Sequence, residues 1–350
     1  MLAFIARRLL ALPFVLFGVS ILIFGITQFL PPDVRATAYI RSEKQLGQLK
    51  EIVQQYGLDK DPFTQYWGWL SNAFQGNFGY STQARQPVLE ALLLRLPATI
   101  ELALCALIPT LVLGVLFGIV SGVNRNKWPD QLGRFFSTIS FSLPTFVVGI
   151  FFLAIFYGQY RIVPSPGRYD VAASLDSGLT SFDGFLIVPT LIHTLLNSET
   201  ILSKDKWLFF KDLLAHLVLP VITLTIVLSG SLTRVVRSSV IDQLEQDYVR
   251  TARSKGLPSR VVTFKHILRN ALIPVITLSG TLLIGLLGGS IITETVFNFP
   301  GIGNYAAQAA VNNDRPAVLG FALFSAVVTV LINLVVDLLY GVVDPRIRYD

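Results

Sequence analysis

Six long apolar runs constrain this chain more than any other feature. A spanning helix needs about 20 mostly apolar residues to cross about 30 Å of hydrocarbon. Runs of that size cover Leu9–Leu30, Ala98–Val123, Phe135–Gly158, Leu217–Val236, Ala271–Phe297 and Ala317–Val342. In lipid each backbone polar group must find its partner within the segment, so the runs are read as helices. The fold class is therefore an all-α integral membrane protein of about six transmembrane helices. Composition agrees: only 14% of residues are charged, where soluble domains carry about 25%. One further apolar stretch, Phe185–Leu196, contains Pro189 and His193 and is too short to span. It is read as part of an extracytoplasmic loop. Arg7 and Arg8 precede the first run, but that run is long and lacks a small-residue cleavage site. It is a retained helix, not a removed leader.

Lys and Arg collect in alternate connections. Arg7 and Arg8 precede helix one, and Arg125, Lys127 and Arg134 join helices two and three. Arg234, Arg237, Arg250, Arg253, Lys255, Arg260, Lys265 and Arg269 fill the link from helix four to five, and Arg346 and Arg348 close the chain. The positive-inside rule makes that side cytoplasmic and places both termini there. The net charge of +6 thus reflects membrane orientation, not a nucleic-acid partner. Cys105 is the sole cysteine, and His193, His216 and His266 lack metal-ligand spacing,.

The chain divides into an N-terminal helix (1–30), an extracytoplasmic region (31–97), a block of five helices (98–342) and a short tail (343–350). The first loop reads as folded. Leu46, Leu49, Ile52, Val53 and Tyr56 recur at helical spacing, Gly57 offers a stop, and Ser42 with Gln45 forms a capping box,. Tyr66, Trp67, Trp69, Phe74, Phe78 and Tyr80 follow. They fit either an aromatic belt at the headgroups or a docking surface for an external partner.

The link between helices four and five, 237–270, carries two helical patterns. Ile241, Leu244, Tyr248 and Ala252 lie on one face, with Asp242, Glu245, Arg253 and Lys255 on others,. Gly256 can adopt positive φ and close the first helix, and Pro258 blocks its continuation. A second helix starts after Ser259 and carries Val262, His266 and Arg269. By composition alone the pair fits either a rigid projection or an amphipathic unit lying on anionic lipid.

At this point the residues resemble a known family. Asp247-Tyr248-Val249-Arg250-Thr251-Ala252-Arg253-Ser254-Lys255-Gly256-Leu257 resembles the coupling loop of ABC importer permeases of the dipeptide/oligopeptide/nickel branch. The likeness continues through His266–Ala271 and Pro274, Thr293-Glu294-Thr295-Val296-Phe297 with Pro300-Gly301-Ile302-Gly303, and Asp337–Gly341 with Asp344–Arg348. Tyr56–Asp59 and Gly76–Gly79 in the first loop match as well. The wider superfamily has Glu-Ala-Ala before the loop glycine where this chain has Arg250-Thr251-Ala252, which narrows the branch.

The resemblance implies a permease subunit in the bacterial inner membrane. It implies a second homologous permease, two cytoplasmic ABC ATPases holding ATP and Mg2+, and an extracytoplasmic substrate-binding protein. Asp247, Tyr248, Arg250, Thr251, Ala252, Lys255, Gly256, Leu257 and Pro258 would form the ATPase-coupling element. Tyr248 and Ala252 would pack it, Gly256 would make the corner, and Arg250 and Lys255 would make polar contacts. Glu294, Phe297, Pro300 and Glu101 would belong to the pathway or outer gate. Glu101 and Glu294 sit about 5 Å from the outer ends of their runs at 1.5 Å per residue, and Asp337 is similarly near an inner end. An interfacial position and a pathway role both stay open for each.

No Gly-x-x-x-x-Gly-Lys-Ser/Thr phosphate loop occurs, so the chain does not itself hydrolyse ATP by that route,; no cofactor of its own is expected. A secondary transporter would place ionisable groups centrally, and an intramembrane enzyme would need a nucleophile or metal cluster at helix depth. Neither pattern is present. Pro109, Pro144, Pro220 and Pro274, with Gly280, Gly285, Gly288 and Gly289, are read as bends or, more readily, close packing.

Overall fold

The computed structural model describes residues 2–40, 43–170, 185–187 and 202–343. Ser42, the tail beyond 343 with Arg346 and Arg348, and most of the Phe185–Leu196 stretch lie outside the described residues, as does the side chain of Asp337. Among the described residues four helices are long and apolar enough to cross a membrane: α1 (Leu2–Thr27), α5 (Val88–Val123), α8 (Leu202–Leu244) and α15 (Arg315–Val343). Two further crossings are bent pairs. In the first, α6 (Trp128–Ser142) meets α7 (Thr145–Phe152), which continues as a π-helix to Gln159, at 96°. In the second, Ser259–Ala271 meets α12 (Ile273–Gly289) at 48°.

Counting each bent pair as one span gives the six expected crossings, two of them broken. The third run is split because Leu143, the residue before Pro144, is extended (ψ 122), and a proline disfavours helical backbone at the position before it. Pro109 and Pro220 do not break α5 or α8. Pro274 sits in the first turn of α12, where its missing N–H costs no helical bond,. The fifth run is interrupted again at Ser290, before α13 (Ile291–Val296). The fourth run is longer than expected, since α8 has 43 residues.

The core sits between α5 and α8. Gly114, Gly118 and Gly122 recur every fourth residue on α5 and face Leu232, Val236 and Val240 on α8. A Cβ on Gly114 would lie 2.6 Å from Leu232, and one on Gly122 would lie 2.7 Å from Val240. Absence of side chains lets the two backbones approach closely, the small-residue packing seen between membrane helices. Gly285 of α12, a packing candidate by sequence, meets nothing within 4 Å among the described residues.

The region after α1 folds against the membrane helices. The short α2 (Pro32–Ala36), α3 (Leu49–Gln55) and α4 (Pro62–Phe74) surround a small core of Ala36, Tyr39, Ile40, Ile52, Leu58 and Tyr80. The expected helix near Leu46 is 3-10 over Glu43–Gln48 and α-helical only from Leu49. Gly57 closes it at φ +60. Arg35 donates from Nη1 to Gln28 (2.7 Å) and Gln65, and from Nη2 to the Leu58 carbonyl (3.1 Å). The aromatic series divides. Tyr66 is buried, packs edge-on against Phe17 and Phe24 of α1, and shares a 2.7 Å hydrogen bond with Ser20. Phe63, Trp67 and Phe74 stay exposed. A two-residue ladder, β1 (Tyr80–Ser81) and β2 (Gln86–Pro87), joins this region to α15 through Asp314, which accepts from Ser81 Oγ (2.7 Å) and Gln83 N (3.0 Å).

Candidate coupling site and pathway residues

The coupling element begins where α8 ends. The chain turns at Gln246 (ψ 148) and re-enters helix as α9 (Asp247–Ser254). The pattern Ile241–Leu244–Tyr248–Ala252 is therefore not one helix. Its first two members belong to α8. Within α9 the buried residues are Val249 and Ala252, with Tyr248 packed beside them. Val249 was missed because periodicity was counted through the turn. These side chains close a cluster with Val236 and Val240 of α8 and with Val262, Ile267 and Ala271. The Tyr248 hydroxyl donates to Gln243 Oε1 at 2.6 Å and so ties α9 back to α8.

The other faces of α9 are open to solvent. Asp247, Arg250, Thr251, Lys255, Gly256, Leu257 and Pro258 are all exposed. Arg250 and Asp247 lie 3.5 Å apart with side chains 74% and 96% exposed. An ion pair that exposed adds little stability. Gly256, at φ +74, closes α9 with two backbone bonds: Leu257 N to Ala252 O (3.4 Å) and Gly256 N to Arg253 O (2.9 Å). This double closure is the Schellman arrangement, which uses a left-handed residue to satisfy the last carbonyls. Pro258 then caps α10 (Ser259–Val261), which runs through a π-helical turn (Val262–Ile267) into α11 (Leu268–Ala271). The Gly-Leu-Pro corner thus joins two short helices as expected.

Glu294 lies far from this corner and is fully buried. Its Oε1 accepts from Thr99 Oγ1 (2.8 Å) and Ser290 Oγ (3.2 Å), and its Oε2 accepts from Asn304 N (2.9 Å). Thr99 Oγ1 in turn accepts from Ile302 N at 2.9 Å. Ile302 and Asn304 open α14 (Ile302–Val311). Glu294 and Thr99 therefore act as a cap built from two other helices, satisfying N–H groups that a helix start leaves without partners. Gly301 and Gly303 make this approach feasible: a Cβ on Gly301 would stand 2.5 Å from Thr99 Oγ1, and one on Gly303 2.9 Å from Glu294 Oε2. The motif Thr293–Gly303 reads as one folded anchor. Phe297 is buried beside Gly149 of α7, and Pro300 is exposed in the turn.

Glu101 holds a second junction. Its carboxylate pairs with Arg168 Nη2 at 2.6 Å, with both side chains under 10% exposed, and accepts from Ile187 N at 2.8 Å. It pins the connection between α7 and α8 to α5. Glu101 and Glu294 are both enclosed by protein. The structure does not bring them together with the coupling residues. A groove of about 260 Å³ opens between α7, α8 and α12–α13, lined by Thr145, Leu224, Leu228, Thr281, Gly285 and Ile292 among others. Among the described residues no charged side chain lines it.

Sequence reasoning also missed Asp130. It is completely buried, and its two carboxylate oxygens accept from Arg237 Nε (2.5 Å) and Nη2 (2.9 Å). Ser121 Oγ (2.6 Å) and Asn126 N (2.9 Å) also donate to it. An acidic residue following Trp128-Pro129 in a basic connection was the available signal.

The residues at the α9 corner and the Glu294 anchor fall within a recognised family. Residues 114–349 match the binding-protein-dependent transport system inner membrane component, and residues 1–103 match the N-terminal component of the same systems. The chain belongs to this family. The permease is 39% identical over 342 residues to the probable D,D-dipeptide transport system permease DdpB of Escherichia coli, covering 97% of this chain and 96% of that one. It is 35% identical over the full length of both to the di/tripeptide transport system permease DppB of Pseudomonas aeruginosa. Against the glutathione transport system permease GsiC of Escherichia coli the identity is 34%, again over both full lengths. The permease is thus a non-catalytic, membrane-spanning subunit of an ABC importer in the bacterial inner membrane, contributing to the translocation pathway. It works with ATPase and substrate-binding partners.

Proposed function

We propose that the chain forms half of the pathway of an ATP-driven importer for peptides or similar small solutes, and that α9 seats in a cleft of an ATPase subunit. The assembly then comprises a second homologous permease, two ABC ATPases carrying ATP and Mg2+ on the basic, cytoplasmic side, and a binding protein on the other. Both termini lie in the cytoplasm in this arrangement. The substrate class is supported by the names of the relatives and by the uncharged groove, whose threonine hydroxyls suit a peptide backbone better than a fixed charge.

The observation that carries the coupling role is the construction of α9. One face, Val249 and Ala252, is set in a cluster continuous with the membrane helices, and the opposite face is polar and open. A helix built so moves with the core when pushed. Replacing Gly256 by leucine tests this. Among the described residues nothing lies within 4 Å of an added Cβ, so the cost falls on the left-handed backbone, about 1–2 kcal/mol against a non-glycine residue. The expected result is normal membrane insertion with ATP hydrolysis no longer productive of uptake. Normal uptake by this variant would overturn the coupling role.

A further inference from the structure

The buried Asp130–Arg237 fork has no part in the function as described above. A buried carboxylate is no cheap way to stabilise a helix pair, because an apolar contact of similar volume often serves as well or better. What a bidentate guanidinium–carboxylate pair adds is fixed geometry. Here the geometry joins four pieces of chain: Ser121 of α5, the Asn126 amide of the α5–α6 turn, Asp130 of α6 and Arg237 of α8. Arg134 stands 3.8 Å from the same carboxylate but is half exposed.

Position gives the fork a direction. Arg237 sits seven residues before the end of α8, about 10 Å along the helix from α9. From Asp130, α6 runs alongside α8, where a Cβ on Gly230 would lie 2.5 Å from Ser140 and Arg234 lies 4.9 Å from the Phe141 ring. Beyond the 96° bend, Gly149 of α7 meets Phe297, where an added Cβ would be 3.2 Å from the ring. Phe297 closes the segment that bears Glu294. A contiguous, packed route therefore leads from α9 to the buried anchor at the other end.

We propose that Asp130 and Arg237 are positioning residues that make α6 follow α8, so that displacement of α9 reaches α7 and the Glu294 segment. This rests on the coupling role of α9. The test uses the assembled importer with its ATPases in proteoliposomes, on a Cys105→Ser background, with nucleotide and vanadate as the trigger. Spin labels at Phe151 of α7 and Leu331 of α15, both more than half exposed, report movement of α7. A second pair at Arg253 and Leu331 reports movement of α9. Asp130→Asn weakens the ion pair, and Arg237→Lys keeps the charge but loses the fork, so neither is a conservative change at a bidentate site.

The expected result is an unchanged α9 shift and unchanged ATP hydrolysis, with the α7 shift reduced about threefold or more in both variants, because a lysine point charge cannot replace the fork. A purely structural role would lower thermal stability and leave the α7 shift of the assembled fraction intact, which overturns the proposal. Failure of both variants to assemble would make the fork a folding element and would also overturn it. Gly256→Leu separates the two ideas. If it leaves both shifts and uptake normal, the coupling reading falls. If it uncouples while the fork variants move α7 normally, only the present inference falls.

Discussion

Replacing Thr99 by valine removes one hydroxyl and keeps the side-chain shape. That hydroxyl donates to Glu294 Oε1 at 2.8 Å and accepts from Ile302 N at 2.9 Å, in a site with no solvent exposure at Thr99 or Glu294. Each of the two bonds contributes about 0.5–1.5 kcal/mol. Together they set a local loss of about 1–3 kcal/mol. At about 1.4 kcal/mol per tenfold, opening of the α14 start becomes about 5- to 140-fold more frequent. Amide hydrogen exchange of peptides covering Phe299–Ala306 measures this directly in detergent or nanodiscs. Thr99→Ser restores the hydroxyl and is expected to return exchange close to wild type. Exchange in Thr99→Val indistinguishable from wild type would refute the cap and, with it, the explanation of the Gly301 and Gly303 positions.

Three other outcomes are expected. Gly118→Ala places a methyl against Val236, with Cγ1 at 2.7 Å; overpacking of this kind costs about 1–3 kcal/mol. It should lower the thermal midpoint, and adding Val236→Ala should restore most of the loss. Glu101→Gln breaks a buried pair with Arg168 and should cost about 3–5 kcal/mol locally, read as faster proteolysis of the 160–170 segment. Burial pushes the Tyr39 phenol up to about 12, against an ordinary value near 10. The unfolded chain therefore releases this proton first, so the contribution of Tyr39 is full below about pH 10 and is lost as pH rises through about 12. Limited proteolysis of residues 31–87 should show alkaline loosening, and Tyr39→Phe should abolish that part of it.

The sequence carried the membrane class and the corner at Gly256 because both depend on local signals. Run length against bilayer thickness decides the first, and a glycine two residues before a proline decides the second. The bend at Pro144 was harder to see. Pro109 and Pro220 carry the same chemistry but stay helical, and only the tertiary setting separates them from Pro144. Glu294 was visible as a carboxylate in an apolar run. Its partners, however, come from Thr99, Ser290 and Asn304, and the threonine is 195 positions away. Tyr248 and Ala252 do pack the α9 face, but Val249 was missing from it because one helical period was extended across the turn at Gln246. Asp130 escaped notice because an acidic residue in a basic connection reads as ordinary surface until Arg237 is placed over it.

The unbroken length of α8 has a consequence for whatever docks on α9. Its 43 residues make a rod of about 64 Å, while the hydrocarbon layer takes up about 30 Å. More than half of the rod therefore extends past the hydrocarbon, and at the α9 end residues 237–244 carry it about 12 Å beyond the apolar run,. Under the proposed coupling role, a tug on α9 would run the length of α8, which has no helix break between its two ends to absorb it.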